Sequence, residues 1–159
     1  MFDVLKRKVN NRPILQVAVS RTLKQLLLID AVRYAVGYSR YFYLSRVRRK
    51  FQALDTAAEE THKDSLAYNS RSLGSFAVIR SNQLLRPLSI IDQLYKRLED
   101  AKVLSIGPRT EGEILNIVAH GFSRKNIEAI DLFSYSPWIR VGDMHKAPYT
   151  DNSFDVVMS

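Results

Sequence analysis

Val103-Leu104-Ser105-Ile106-Gly107-Pro108-Arg109-Thr110-Glu111-Gly112-Glu113 is the stretch on which the fold turns. A short apolar run passes straight into glycine and proline, the pattern of a buried strand that ends in a tight turn. Downstream, 113–120 carries Ile114, Leu115, Ile117 and Val118 on one helical face, and Gly121 stands where a left-handed residue closes a helix. Three more strand-like runs follow, at 127–132, 139–142 and 154–158. One strand, a helix and three further strands at this spacing predict an α/β fold with a parallel sheet of about four strands joined by crossovers.

Upstream of Lys102 the pattern is different. From Pro13 the apolar residues Ile14, Leu15, Val17, Leu23, Leu26, Leu27, Val32 and Val36 follow a helical period, which predicts one long helix, straight or kinked, ending near Gly37. The sequel 38–51 reads as helical and basic, 53–66 as polar and helix-favouring, and 69–74 as a loop rich in Ser, Asn and Gly. Residues 76–79 suit a short strand or a helix start, and 84–98 a further helix with Pro87 in an early turn. The expected organisation is therefore a mainly helical, basic region over 1–100 and an α/β unit over 101–159.

Charge follows the same division. Residues 1–100 hold 18 Lys and Arg against nine Asp and Glu, whereas 101–159 hold six against seven, and the whole chain carries +8. Two regions with different partners are expected from that asymmetry. At 46% hydrophobic and 25% charged over 159 residues, the chain has the composition of a globular protein rather than a disordered one. It has no cysteine, which excludes a disulfide framework, a thiolate metal site and a cysteine nucleophile and suits a reducing cytoplasm. Three scattered His argue against a zinc site, so no metal is expected. Charged Arg21, Lys24, Asp30 and Arg33 interrupt the most apolar helical stretch, 14–36, and no membrane span is predicted. Residues 1–12 lack the apolar core of a secretory signal.

Three pieces at the sheet's expected carboxyl edge carry the functional reading. The first is the Gly107 turn, where the absence of a side chain lets backbone approach a ligand. The second is Ile127-Glu128-Ala129-Ile130-Asp131, whose terminal acid lies 24 positions after Gly107, close to the spacing at which a strand-end acid meets ribose hydroxyls. The third is Val141-Gly142-Asp143-Met144-His145-Lys146-Ala147-Pro148-Tyr149-Thr150-Asp151-Asn152-Ser153-Phe154-Asp155-Val156-Val157.

Together, over 102–159, these pieces resemble the class I S-adenosylmethionine (SAM) dependent methyltransferases, in particular the type 11-like branch. The resemblance implies a truncated Rossmann-like sheet that binds SAM. Gly107, Arg109, Glu111, Asp131, Asp143 and Met144 are the implied cofactor-binding residues. Asp131 would hold the ribose, Asp143 the adenine amino group, and Met144 the adenine ring through its backbone and apolar side chain. Arg109 would pair with the methionine carboxylate, and Glu111 or Glu113 would take its amino group. The sequence departs from the family pattern where Arg109 and Glu111 replace the second and third glycines of the first loop and Ser105 replaces an acid. Glu111 and Glu113 also suit the N-terminal turn of a helix as acids that complement its dipole. His145 reads as a surface loop residue, and Asp155 as a stabiliser of the turn into the last strand.

The implied function is methyl transfer to an acceptor the sequence leaves open, with no catalytic residue identified. Members of the family use about seven strands, so the sequence reads as a fragment or as half of a split arrangement, with a partner chain as one way to complete the sheet. The alternatives are a nicotinamide-dependent Rossmann protein, disfavoured by the incomplete glycine fingerprint, and a non-catalytic methyltransferase-like protein. In the latter the basic helical region binds nucleic acid, an anionic surface or a protein, through Arg40, Arg46, Arg48, Arg49 and Lys50.

Overall fold

A computed structural model describes residues 22–54, 85, 87–88 and 97–159. The expectations for 1–12, 55–66, 69–74 and 76–79, and most of that for 84–98, lie outside the described residues. Residues 85, 87 and 88 are helical, and 98–100 form a turn leading to the first sheet strand.

Residues 22–27 are helical, Leu28 and Ile29 break the path, and helix α1 then runs Asp30–Phe42. Of the helix expected from Pro13 to near Gly37, 13–21 lie outside the described residues; the described part is in two pieces, and Gly37 lies buried within α1 rather than at its end. A π-helical turn, Tyr43–Val47, continues α1. It closes where Arg48 N–H donates to the Tyr43 carbonyl and Lys50 N–H to the Leu44 carbonyl, each at 2.9 Å. Arg49 takes the left-handed conformation that this closure requires, at φ 49°. Strand β1, Gln52–Ala53, follows.

The second part matches its sequence more closely. Strand β2 spans Val103–Ile106, helix α2 Glu111–Ala119, and β3 Ile127–Asp131. Two-residue β4, Phe133–Ser134, precedes β5, Arg140–Val141, and β6, Val156–Met158. Gly121 ends α2 at φ 113°, as expected, and Lys24 Nζ donates to its carbonyl at 3.1 Å. A four-stranded sheet has the order β5-β3-β2-β6, with every pairing parallel. In chain order these strands run third, second, first, fourth, so the order reverses between β2 and β6. Asp155 ties that junction at the amino end: Lys102 N–H donates to its Oδ2 at 2.8 Å, and its own N–H returns to the Lys102 carbonyl at 2.9 Å.

Alternation along the strands sorts the two faces. Val103 of β2 and Ile127 and Ala129 of β3 pack against Ile114 and Ile117 of α2, with Leu85, Leu98, Phe122 and Ile139 completing the core. Full burial of each large aliphatic side chain there contributes about 1.5–3 kcal/mol. Leu104, Ile106 and Ile130 face the opposite way, where the connection from β5 to β6 crosses over them.

The helical region packs directly on this unit. Leu27 meets Leu115 and Ala119 of α2, and Leu44 and Tyr41 meet Phe133 and Tyr135. An antiparallel ribbon that the sequence did not suggest pairs β1 with β4, Gln52 opposite Ser134 and Ala53 opposite Phe133. Phe51 stacks on Phe133 at 6.0 Å beside it.

Candidate functional site at the carboxyl edge of the sheet

Parallel strands bring their carboxyl ends to one edge, and the reversal of strand order opens a crevice there. That edge gathers Gly107 after β2, Asp131 at the end of β3, and Gly142 and Asp143 after β5. Gly107 has φ 67°, and the position a Cβ would occupy has nothing within 4 Å. Its backbone therefore borders open space, while its N–H continues the ladder to the Ile130 carbonyl at 2.8 Å. Gly142 is closely packed instead. A Cβ there would meet Ile130 Cδ1 at 2.9 Å, closer than carbon atoms can sit.

Asp131 is buried, and its carboxylate turns back to the first loop. Oδ2 accepts from Arg109 N–H at 3.0 Å and Oδ1 from Leu132 N–H at 2.7 Å. Burial raises its pKa, against the opposing pull of backbone N–H groups of Arg109, Leu132 and Phe133 and of the Arg109 charge. A carboxylate offers about four lone-pair sites, so these bonds leave acceptor capacity for a ligand hydroxyl. Arg109 takes φ 47°, the left-handed region favoured by glycine, so the loop keeps a glycine-type conformation with an arginine in it.

Glu113, in the first turn of α2, faces the same group. Burial pushes its pKa up to about 8; the Arg109 charge pulls it down and the Asp131 charge pushes it further up. Near neutrality the part of this edge around the first loop accordingly holds one arginine, one strand-end carboxyl group and one acid held largely protonated.

Asp143 is buried and caps the 3-10 turn Met144–Lys146, its Oδ1 accepting from His145 N–H at 2.9 Å. Met144 is exposed and borders an open cavity of about 380 Å3 on the second face of the sheet. Leu104, Ile106, Ile130, Tyr149 and Phe154 supply most of its apolar wall. Tyr149 and Phe154 meet edge to face at 5.0 Å, which fixes the connection that roofs it. His145 is exposed, as expected.

Glu111 is placed elsewhere. Its carboxylate is fully buried and is held by both nitrogens of the Arg40 fork, Nε on Oε2 and Nη2 on Oε1, the latter at 3.0 Å. Ser136 Oγ donates to it as well, and Glu111 N–H donates to Tyr135 Oη at 3.0 Å. The Arg40 guanidinium also lies over the Trp138 ring at 4.2 Å, with Arg124 against the same ring at 4.8 Å. Glu111 thus joins α1 to α2, and Gly107, Arg109, Asp131, Asp143 and Met144 are the expected residues that remain at the edge or its cavity. The pairing also withdraws Arg40 from the expected basic surface and leaves Arg46, Arg48, Arg49 and Lys50 exposed on it.

In the sequence Glu113 is indistinguishable from Glu111 as an acid of the first helical turn, and the contacts of Arg40, Tyr135 and Ser136 with Glu111 leave no local signal. Arg40 and Glu111 are 71 residues apart, and no spacing rule joins them. Among the described residues no cluster of His, Cys, Asp and Glu could hold a metal ion. None of the described helices is long and apolar enough to cross a membrane. In comparisons with known proteins, no family model, no curated protein and no solved structure matches the chain.

Proposed function

We propose that 101–159 is the cofactor-binding half of a class I SAM-dependent methyltransferase fold and that the chain takes part in methyl transfer. The observation that carries this reading is the row, along the carboxyl edge beside the reversal of strand order, of an open glycine turn at Gly107, a strand-end acid at Asp131 and a second acid at Asp143. Ligands of open parallel sheets bind at that point. The open cavity beside Met144 is within the size range of small-molecule sites, and its wall of Leu104, Ile106 and Ile130 offers an adenine ring an apolar side.

The residues present fit such a ligand best at its adenosine end. Asp131 would accept from the ribose hydroxyls, Asp143 from the adenine amino group, and Met144 with Ile130 would flank the ring. At the methionine end Arg109 would take the carboxylate and Glu113 the ammonium, since Glu111 is taken by Arg40. SAM supplies a methyl group made electrophilic by its sulfonium, and the protein's share is to hold it in line with a nucleophile.

Thermal-shift competition between S-adenosylhomocysteine and NAD tests the reading. A saturable rise in Tm with the former alone is expected. A rise with NAD alone, or with neither, rejects it and leaves the nicotinamide or the non-catalytic scaffold reading in its place.

A further inference from the structure

Helix α1 is turned inside out. Its inward side holds Arg33, 1% exposed, with Gly37 and the Arg40 pair, whereas Tyr34, Tyr38 and Phe42, each four residues on, stand out toward solvent. Of the 13 large apolar side chains exposed among the described residues, 11 fall within 22–51. An apolar face this concentrated on a charged helix marks an interaction surface rather than ordinary surface scatter.

Its far end also carries charge. Phe42, Tyr43, Val47 and Phe51 are 50–60% exposed, and Arg46, Arg48, Arg49 and Lys50 are interleaved with them. None of these four cations has an acidic partner among the described residues. Asp30, the sole acid in 22–54, is taken by Arg33. The turn that presents them is built at a cost, since Arg49 holds a left-handed conformation where glycine would be easier.

We propose that the segment 42–51, at the end of α1, docks on an anionic lipid surface, its aromatic and aliphatic side chains entering the interfacial layer while Arg46, Arg48, Arg49 and Lys50 meet the headgroups. An apolar face bordered by Arg and Lys is the chemistry of an interfacial helix that lies on a membrane without spanning it. A second copy of the chain fits worse, because 22–54 carries seven basic residues against one acid and two such faces repel. A nucleic acid fits worse because Val47, Val36 and Ile29, aliphatic members of the same exposed run, offer a base no stacking face. The proposal does not rest on the cofactor reading.

Co-sedimentation of the full chain with vesicles tests it, comparing phosphatidylcholine alone with phosphatidylcholine containing phosphatidylserine. Binding to the anionic vesicles only, weakened by rising salt, is expected. Arg48→Gln with Arg49→Gln should weaken it about tenfold or more, and Phe42→Ser with Val47→Ser should weaken it as well. Both pairs are exposed, and unchanged circular dichroism and melting will show that the variants fold. Arg49→Gly separates binding from folding, since it should raise Tm while weakening vesicle binding. No binding to anionic vesicles overturns the proposal, as does binding indifferent to Phe42→Ser with Val47→Ser. Tighter binding to a single-stranded oligonucleotide than to vesicles overturns it in favour of nucleic acid.

Discussion

The sheet unit over 101–159 and the helical stretch over 22–54 obey burial in opposite senses. In the sheet unit Val103, Ile114, Ile117, Ala129 and Phe122 go inside, and the polar residues collect at the carboxyl edge. In α1 Arg33 goes inside and Arg40 reaches inward to Glu111, while Tyr34, Tyr38 and Phe42 stay out. Patterning alone therefore predicts a core only where the element's partner is apolar. The end of α1 docks on the amino end of α2, where the buried Glu111 carboxylate waits, and the Arg40 guanidinium is the group that satisfies it.

The sharpest way to break this contrast is to remove the charge that turns α1 inward. Arg40→Met leaves the buried Glu111 without its paired guanidinium and should cost about 1–3 kcal/mol in urea denaturation, since the Arg40 side chain is 39% exposed and solvent screens the pair. Adding Glu111→Leu should recover most of that loss, because an apolar pair does not need the missing charge. A cost below about 1 kcal/mol for Arg40→Met would mean that other contacts orient α1.

The next test addresses the carboxyl edge. Glu113 has its native pKa raised to about 8 by burial, with the Asp131 charge adding to the rise and the Arg109 charge opposing it, so the native state binds a proton the unfolded chain has released. Its contribution to stability is then fully present below the ordinary glutamate range and is lost as pH rises through about 8. Denaturation curves across that window should show this fall, and Glu113→Gln should flatten it. The same acid gives a binding signature. If a ligand ammonium docks on Glu113 near neutrality a proton leaves, and the calorimetric heat should vary with the ionisation enthalpy of the buffer.

Smaller effects sharpen the glycine logic of the two regions. Gly142→Ala pushes a Cβ into Ile130 and should cost about 1–2 kcal/mol. Arg109→Gly relieves a left-handed arginine and should change stability by about 1 kcal/mol or less, in the stabilising direction. If Arg109 takes the ligand carboxylate, that gain comes with weaker binding; equal binding would make it a plain loop residue.

What could be read in advance divides along the same line. Strands β2, β3, β5 and β6 and helix α2 were legible because each is a local apolar run closed by a turn residue, with Gly107 and Gly121 marking ends. The parallel pairing followed from the spacing. Gly37 misled because a glycine within a helix looks like its end, and here it lies on the buried side of α1. The β1–β4 ribbon escaped because two-residue strands have no period to detect. At the site, Asp131 and Asp143 were visible as strand-end acids, whereas Glu111 looked equally available and is not. Its partner lies on another element, and tertiary pairing across such a distance leaves no trace in local pattern.

The central claim, that this sheet edge holds SAM or its demethylated product, is tested most directly by isothermal titration with S-adenosylhomocysteine. The full chain should be compared with Asp131→Asn and Asp143→Asn. A saturable one-site heat that weakens by about tenfold or more in each variant, as loss of a charge-assisted hydrogen bond requires, is the predicted result. No heat for the parent chain, or equal heats for all three proteins, would contradict it.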